Sequence, residues 1–104
     1  MLVAFDVDGT LECGSPTGPI KLETVRSMKK AGMTIGIISP SLFRVKKELG
    51  DLLDFYLAGP KEEVMREMRK NYSGRMMYIG DATLDALMAV KAGWEFCYAK
   101  DFNP

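Results

Sequence analysis

The chain of 104 residues contains no histidine. That absence removes a Ser-His-Asp triad, a Cys-His pair and any histidine-rich zinc site from the chemistry open to it. Cysteine is scarce. Cys13 and Cys97 are the only two, far apart and without metal-ligand spacing. Such usage gives no sign of an oxidising compartment, and a reduced, cytoplasmic protein is the expectation. Long apolar runs are missing too. None approaches membrane-spanning length, and Asp6 interrupts the apolar start before it could serve as the core of a signal peptide. Nor is there an excess of charge of one sign, since 14 basic residues face 14 acidic ones. The basic residues are scattered, as in Lys29-Lys30, Lys46-Lys47 and Arg69-Lys70. With no surplus positive charge to displace counterions, nucleic acid is not an expected partner, and neither is a membrane.

What remains is ordinary globular material, 47% hydrophobic and 27% charged, expected to form a single domain over residues 1–104. No repeat, linker or low-complexity segment interrupts it. Its first ten residues carry the most information. Leu2-Val3-Ala4-Phe5 is a continuous apolar run that reads as a strand buried on both faces, and it leads straight into Asp6-Val7-Asp8-Gly9-Thr10. Asp6 and Asp8 start on one side of an extended chain. Gly9 permits a positive φ, and the Thr10 hydroxyl is placed to serve the backbone groups freed there. Two carboxylates closing a buried strand repel each other and need a positive charge nearby.

Leu11 to Pro19 is rich in turn formers and reads as a loop or small flap. Helical spacing follows from Ile20 to Ala31, with Leu22, Val25 and Met28 on one face and Gly32 as the stop. Met33–Ile38 is a second buried strand ending at Ser39-Pro40. A short helix with Leu42, Val45 and Leu49 on one face stops at Gly50, and Asp54–Ala58 is a third strand. Pro60 suits the first position of a helix whose buried face carries Val64, Met65 and Met68. Met76–Ile79 is a fourth strand running into Gly80-Asp81, followed by a helix with Leu84, Leu87 and Met88 on one face. Glu95–Tyr98 is a fifth strand, and Lys100–Pro104 a tail. Trp94 is expected in core or rim packing.

Strands alternating with helices predict an α/β fold, a three-layer, Rossmann-like, doubly wound parallel sheet. Strand order 3-2-1-4-5 sets the first and fourth strands together at the topological switch point, where such sheets bind ligands. Those are the two strands that end in acids. Asp6, Asp8, Ser39, Lys61, Asp81 and Asp85 would then open onto one rim. Four carboxylates, a hydroxyl and an ammonium make an oxygen site for a hard cation, and Mg2+ fits best. A rim of this composition also suits phosphate.

These residues carry a resemblance. A hydrophobic strand with Asp6-x-Asp8-Gly9-Thr10, a hydrophobic strand with Ser39, Lys61 opening a helix, and Gly80-Asp81-x-x-x-Asp85 resemble the four motifs of the haloacid dehalogenase-like (HAD) hydrolase superfamily. They occur in that family's order over residues 1 to about 93. The resemblance implies a Mg2+-dependent phosphomonoesterase working through an aspartyl-phosphate. Asp6 would be the nucleophile and Asp8 the general acid, then base. Lys61 and Ser39, with Gly9 and Thr10, would hold the phosphoryl group. Asp6, Asp8 through its backbone carbonyl, and Asp81 would hold Mg2+, with Asp85 supporting it. Asp8 points to phosphotransfer over dehalogenation.

No long insertion follows the first or third strand, which resembles the minimal, capless type without a cap domain. An open site of that kind suggests a large or macromolecular phosphorylated substrate that closes it, or a homo-oligomer in which a neighbour's flap, Leu11 to Pro19, does so. The alternative reading is a non-catalytic phosphate- or metal-binding module, or a receiver-like regulatory domain. A receiver, however, places its phosphoacceptor after the third strand, which here ends Leu57-Ala58-Gly59.

Overall fold

The computed structural model describes residues 1–40 and 47–103. In chain order it contains β1 (Leu2–Phe5), α1 (Leu22–Lys30), β2 (Thr34–Ile38), β3 (Phe55–Leu57), α2 (Lys61–Asn71), β4 (Met76–Gly80), α3 (Thr83–Lys91) and β5 (Glu95–Tyr98). Of the helix expected before Gly50, Leu42 and Val45 lie outside the described residues, while residues 47–49 are helical and Leu49 is buried.

The five strands form one sheet of order β3-β2-β1-β4-β5, as the sequence predicts, and every pairing is parallel. β1 is central because its side chains are apolar on both faces. Val3 and Phe5 join Ile35, Ile37 and Ile79 on one side, against Val25 and Met28 of α1. Leu2 and Ala4 join Met76 and Tyr78 on the other, against Met65 of α2 and Ala89 of α3. The period of two along each strand therefore separates two cores, and the chain crosses from one face to the other between β3 and α2. Gly36 in β2 is a packing requirement, since a Cβ there would collide with the Phe55 ring on the adjacent strand.

Local signals place the helices. α1 has Glu23 in its first turn, Lys29 and Lys30 in its last, and Gly32 at φ 93° just beyond it. Its N-terminus is served from a distance, because the Leu22 amide donates to the Glu12 carboxylate at 2.5 Å. Pro60 precedes α2 as its cap residue, one position earlier than expected, so Lys61 opens the helix.

α3 departs most from the sequence pattern. Leu84 and Leu87, expected on its apolar face, are 63% and 54% exposed, and Val90 is 68% exposed. The buried residues are Asp85 and Ala89. A helix apolar on nearly every side carries no phase in its hydrophobic pattern. Its orientation follows from the site at its first turn.

The expected tail is also structured. Ala99–Asp101 form a single helical turn, and the Phe102 ring meets Phe5 edge-on at 6.3 Å. Trp94 is buried, its indole N–H donating to the Met65 carbonyl at 2.9 Å. No helix among the described residues is long and apolar enough to cross a membrane.

Asp54 ties three elements together. It accepts the Ile35 amide at 2.8 Å and pairs with Lys29. The Lys29 ammonium, then the Ile35 amide, holds its carboxyl below the usual value. A carboxyl whose folded pKa is depressed stabilises the fold above its unfolded pKa and loses that contribution as pH falls through the folded one. The pair is about one-third exposed, so its contribution at neutral pH is small, under about 1 kcal/mol. Urea midpoints of wild type and Asp54→Asn should differ at pH 7 and converge as pH drops below about 4.

Candidate active site

Parallel pairing puts the C-terminal ends of β1 and β4 level. Phe5 is the register partner of Ile79, and the Asp6 amide donates to the Ile79 carbonyl at 2.9 Å. Asp6 therefore leaves the sheet beside Gly80-Asp81. Carboxylate oxygens of Asp6, Asp81 and Asp85 all lie within 4.8 Å of one another. Lys61, at the first position of α2, reaches into this group. Its Nζ is 2.8 Å from Asp85 Oδ1 and 3.3 Å from Asp6 Oδ2. The three side chains in these pairs are almost enclosed, at 12% exposure for Lys61, 11% for Asp6 and 4% for Asp85.

Two glycines, Gly80 at the end of β4 and Gly9 in the turn after β1, make this approach possible. At Gly80 a Cβ would stand 2.6 Å from Asp85 Oδ2 and 3.0 Å from its Cγ. At Gly9, with φ 73°, a Cβ would run into the Asp81 carboxylate. Asp85 is also held by its own helix, accepting the Ala82 amide at 3.3 Å. Behind Lys61 stands Tyr78, whose ring centroid is 5.5 Å from Nζ and whose hydroxyl donates to the Ile38 carbonyl at 2.7 Å. Burial first, then the charges of Asp6, Asp85 and Asp81, pushes the Tyr78 phenol far up, so it stays neutral. Sequence reasoning missed Tyr78 because an aromatic inside an apolar strand looks like filler.

Burial also pushes the Asp6 carboxyl above its ordinary value. Lys61 and the Val7 amide pull against that, and Asp85 adds to it. Three carboxylates thus face one ammonium, with Asp6 and Asp85 buried and Asp81 exposed at the rim. The donors are all oxygen, which fits a hard divalent cation held by Asp6, Asp81 and Asp85.

The other expected site residues lie around this group. Asp8 is in the turn after β1, outside the three-carboxylate cluster, and its Oδ1 accepts the Ser15 amide at 2.8 Å. The flap thus grips Asp8 directly, through a bond to which no sequence motif points. Ser39 is buried at the end of β2, its amide donating to the Leu57 carbonyl at 3.1 Å. Thr10 differs from expectation. Its hydroxyl is fully buried and has no hydrogen-bond partner among the described residues. The freed backbone groups pair with one another instead: the Thr10 and Leu11 amides go to the Val7 carbonyl, and the Ile20 amide to the Thr10 carbonyl. Gly18 closes over the Thr10 backbone so tightly that a Cβ there would overlap it. Thr10 therefore braces the loop from inside.

The close approach at Gly80 makes a sharp test of the carboxylate cluster. Gly80→Ala forces Asp85 to move, so affinity for a divalent cation in calorimetric titration should fall about tenfold or more. Overpacking should also lower stability by roughly 1–3 kcal/mol.

No family model matches the chain, and no curated protein does either. Among solved structures it is similar to the NMR structure of the core domain of "a putative phosphoglycolate phosphatase from Streptococcus pneumoniae TIGR4", with a TM-score of 0.68 and 22% identity. The match covers 94% of this chain and 78% of that one. At this identity the likeness is one of architecture, and it agrees with the sheet order: the chain has an α/β, Rossmann-like, doubly wound fold.

Proposed function

We propose that the chain is a Mg2+-dependent phosphomonoesterase of the minimal, capless HAD type. One observation carries the reading. Asp6, at the end of the central strand, shares its carboxylate between Lys61 and a cluster with Asp81 and Asp85. A structural ion pair needs one acid, and a simple helix start needs none on the neighbouring strand. A carboxylate nucleophile that must approach an anion needs positive charge beside it, which Lys61 supplies and a cation held by the further acids would add.

In the proposed reaction an Asp6 carboxylate oxygen attacks phosphorus in line. The Asp6–phosphorus bond forms as the bond to the leaving oxygen breaks, and Asp8 gives that oxygen its proton. Asp8 then takes a proton from water, whose oxygen attacks the same phosphorus, releasing phosphate and restoring Asp6. Lys61 and Ser39 hold phosphoryl oxygens, with the turn at Gly9 and Thr10 shaping the approach. Bound Mg2+, held by Asp6, Asp81 and the Asp8 carbonyl with support from Asp85, would neutralise charge on the phosphoryl oxygens. The Ser15 bond to Asp8 keeps the proton carrier in place.

Neither cap position within the chain holds an inserted domain, since β1 and α1 are joined by Asp6–Lys21 and β3 and α2 by Ala58–Pro60. Water reaches such a site easily, which favours hydrolysis over transfer between substrates. A homo-oligomer in which a neighbour covers the site is part of the proposal. The test of function is phosphate release from an aryl phosphate with Mg2+ and with chelator. Turnover only with Mg2+ is expected, and equal rates in both would overturn the metal assignment.

A further inference from the structure

A groove of about 450 Å³ runs from Asp81 between the flap and the C-terminal end of β5. Gly9, Pro19, Asp81, Thr83, Tyr98 and Lys100 line it. Its volume is at the small end for ligand sites, enough for a compact group beside the phosphoryl position. Asp81 brings one member of the carboxylate cluster to its wall. Lys100 adds an ammonium, its Nζ 5.7 Å from the Tyr98 ring centroid. Between them the Tyr98 and Thr83 hydroxyls lie 3.4 Å apart.

Lys100 has no ion-pair partner among the described residues. Its charge rests against an aromatic face, which orients the ammonium but leaves its donors free. Thr83 opens α3, so its hydroxyl shares the positive end of that helix. The groove thus offers two hydroxyls and an ammonium to whatever projects from a phosphoryl group seated beside Asp81.

We infer that this groove binds the leaving group of the substrate and selects one carrying a second anionic group, which pairs with Lys100. The substrate class is a small phosphomonoester with a carboxylate or second phosphate on its alcohol portion. The inference rests on the proposed phosphatase reading for its orientation, with the phosphoryl group at Asp6 and the alcohol toward β5. Lys100 is a specificity residue, acting on binding and not on the chemical step.

The test compares 4-carboxyphenyl phosphate with phenyl phosphate. Wild type should favour the carboxylated ester in kcat/KM by about tenfold, mostly through KM. Lys100→Ala should remove that ratio and Lys100→Glu invert it, and added salt should shrink the wild-type preference. Amide NMR shifts on titration with 4-carboxyphenyl phosphate give a readout independent of turnover. Shifts at Tyr98 to Lys100 that Lys100→Ala abolishes would support the groove even if neither ester is hydrolysed, an outcome that would sink the phosphatase reading alone. Equal kcat/KM for the two esters where both are hydrolysed, or a titration that leaves those amides unmoved, would overturn the groove.

Discussion

Asp6→Asn should abolish phosphate release while leaving the protein at least as stable. An amide in place of the attacking carboxylate removes the nucleophile, so turnover of an aryl phosphate with Mg2+ should fall by roughly 10⁴-fold or more. The stability half follows from the electrostatics of the metal-free site. Burial raises the Asp6 carboxyl, with Asp85 adding to the shift against the pull of Lys61. A carboxyl with a folded pKa above its unfolded one costs stability at neutral pH, where it is ionised. Asparagine keeps the shape and removes that cost. In chelator, thermal unfolding of Asp6→Asn should therefore occur at or above the wild-type temperature. A residue conserving only the fold would behave the opposite way: a stability loss with residual turnover would show that Asp6 is a structural acid.

Lys61→Met should destabilise strongly, and its activity should fall too. Lys61 is the shared partner of two nearly buried carboxylates, at 2.8 and 3.3 Å. Removing one member of such a group strands charge without a counterion, which costs about 3–5 kcal/mol. For a domain of this size that corresponds to a melting temperature lower by roughly 12 °C or more in chelator. A divalent cation held by the same carboxylates in the folded state, as proposed, should return about 2.7 kcal/mol at a hundred times its dissociation constant. Because the ammonium no longer competes for these carboxylates, the variant should bind the cation more tightly and show a larger shift in melting temperature than wild type at equal cation concentration. Loss of a donor to the phosphoryl oxygens should lower kcat about 10²–10³-fold. A melting temperature unchanged in chelator would mean that solvent already screens the pair.

Much of this site is legible in the sequence, for identifiable reasons. Apolar β1 followed at once by Asp6 states both where the sheet is buried and where it opens. Alternation of strands and helices leaves few topologies, and the observed order is the one that sets β1 beside β4. Asp81 and Asp85, one helical turn apart, then arrive at Asp6 without further assumption. The remainder depends on contacts that no local pattern encodes. Glu12 caps a helix ten residues away, and Ser15 holds Asp8 through its amide, so neither leaves a mark in residue type. Thr10 shows the converse: a hydroxyl suited to capping is enclosed while main-chain carbonyls take over that work. On α3 the apolar residues mislead because the helix has no polar side to contrast with them. Asp85 faces inward because Lys61 is there to meet it.

The pairing of β1 with β4 has a kinetic side. Leu2 and Met76 are register partners, so this ladder forms only when nearly three-quarters of the chain has been gathered into a loop. The neighbouring β1–β2 ladder closes much sooner, between Leu2 and Thr34. Asp6 and Asp81 stand on opposite ends of the more distant contact. No partially synthesised chain lacking β4 can present their carboxylates together, and an unfolded chain holds them apart. A cation held at this cluster would therefore report long-range assembly of the sheet, because the β1–β4 ladder must form before the carboxylates can meet.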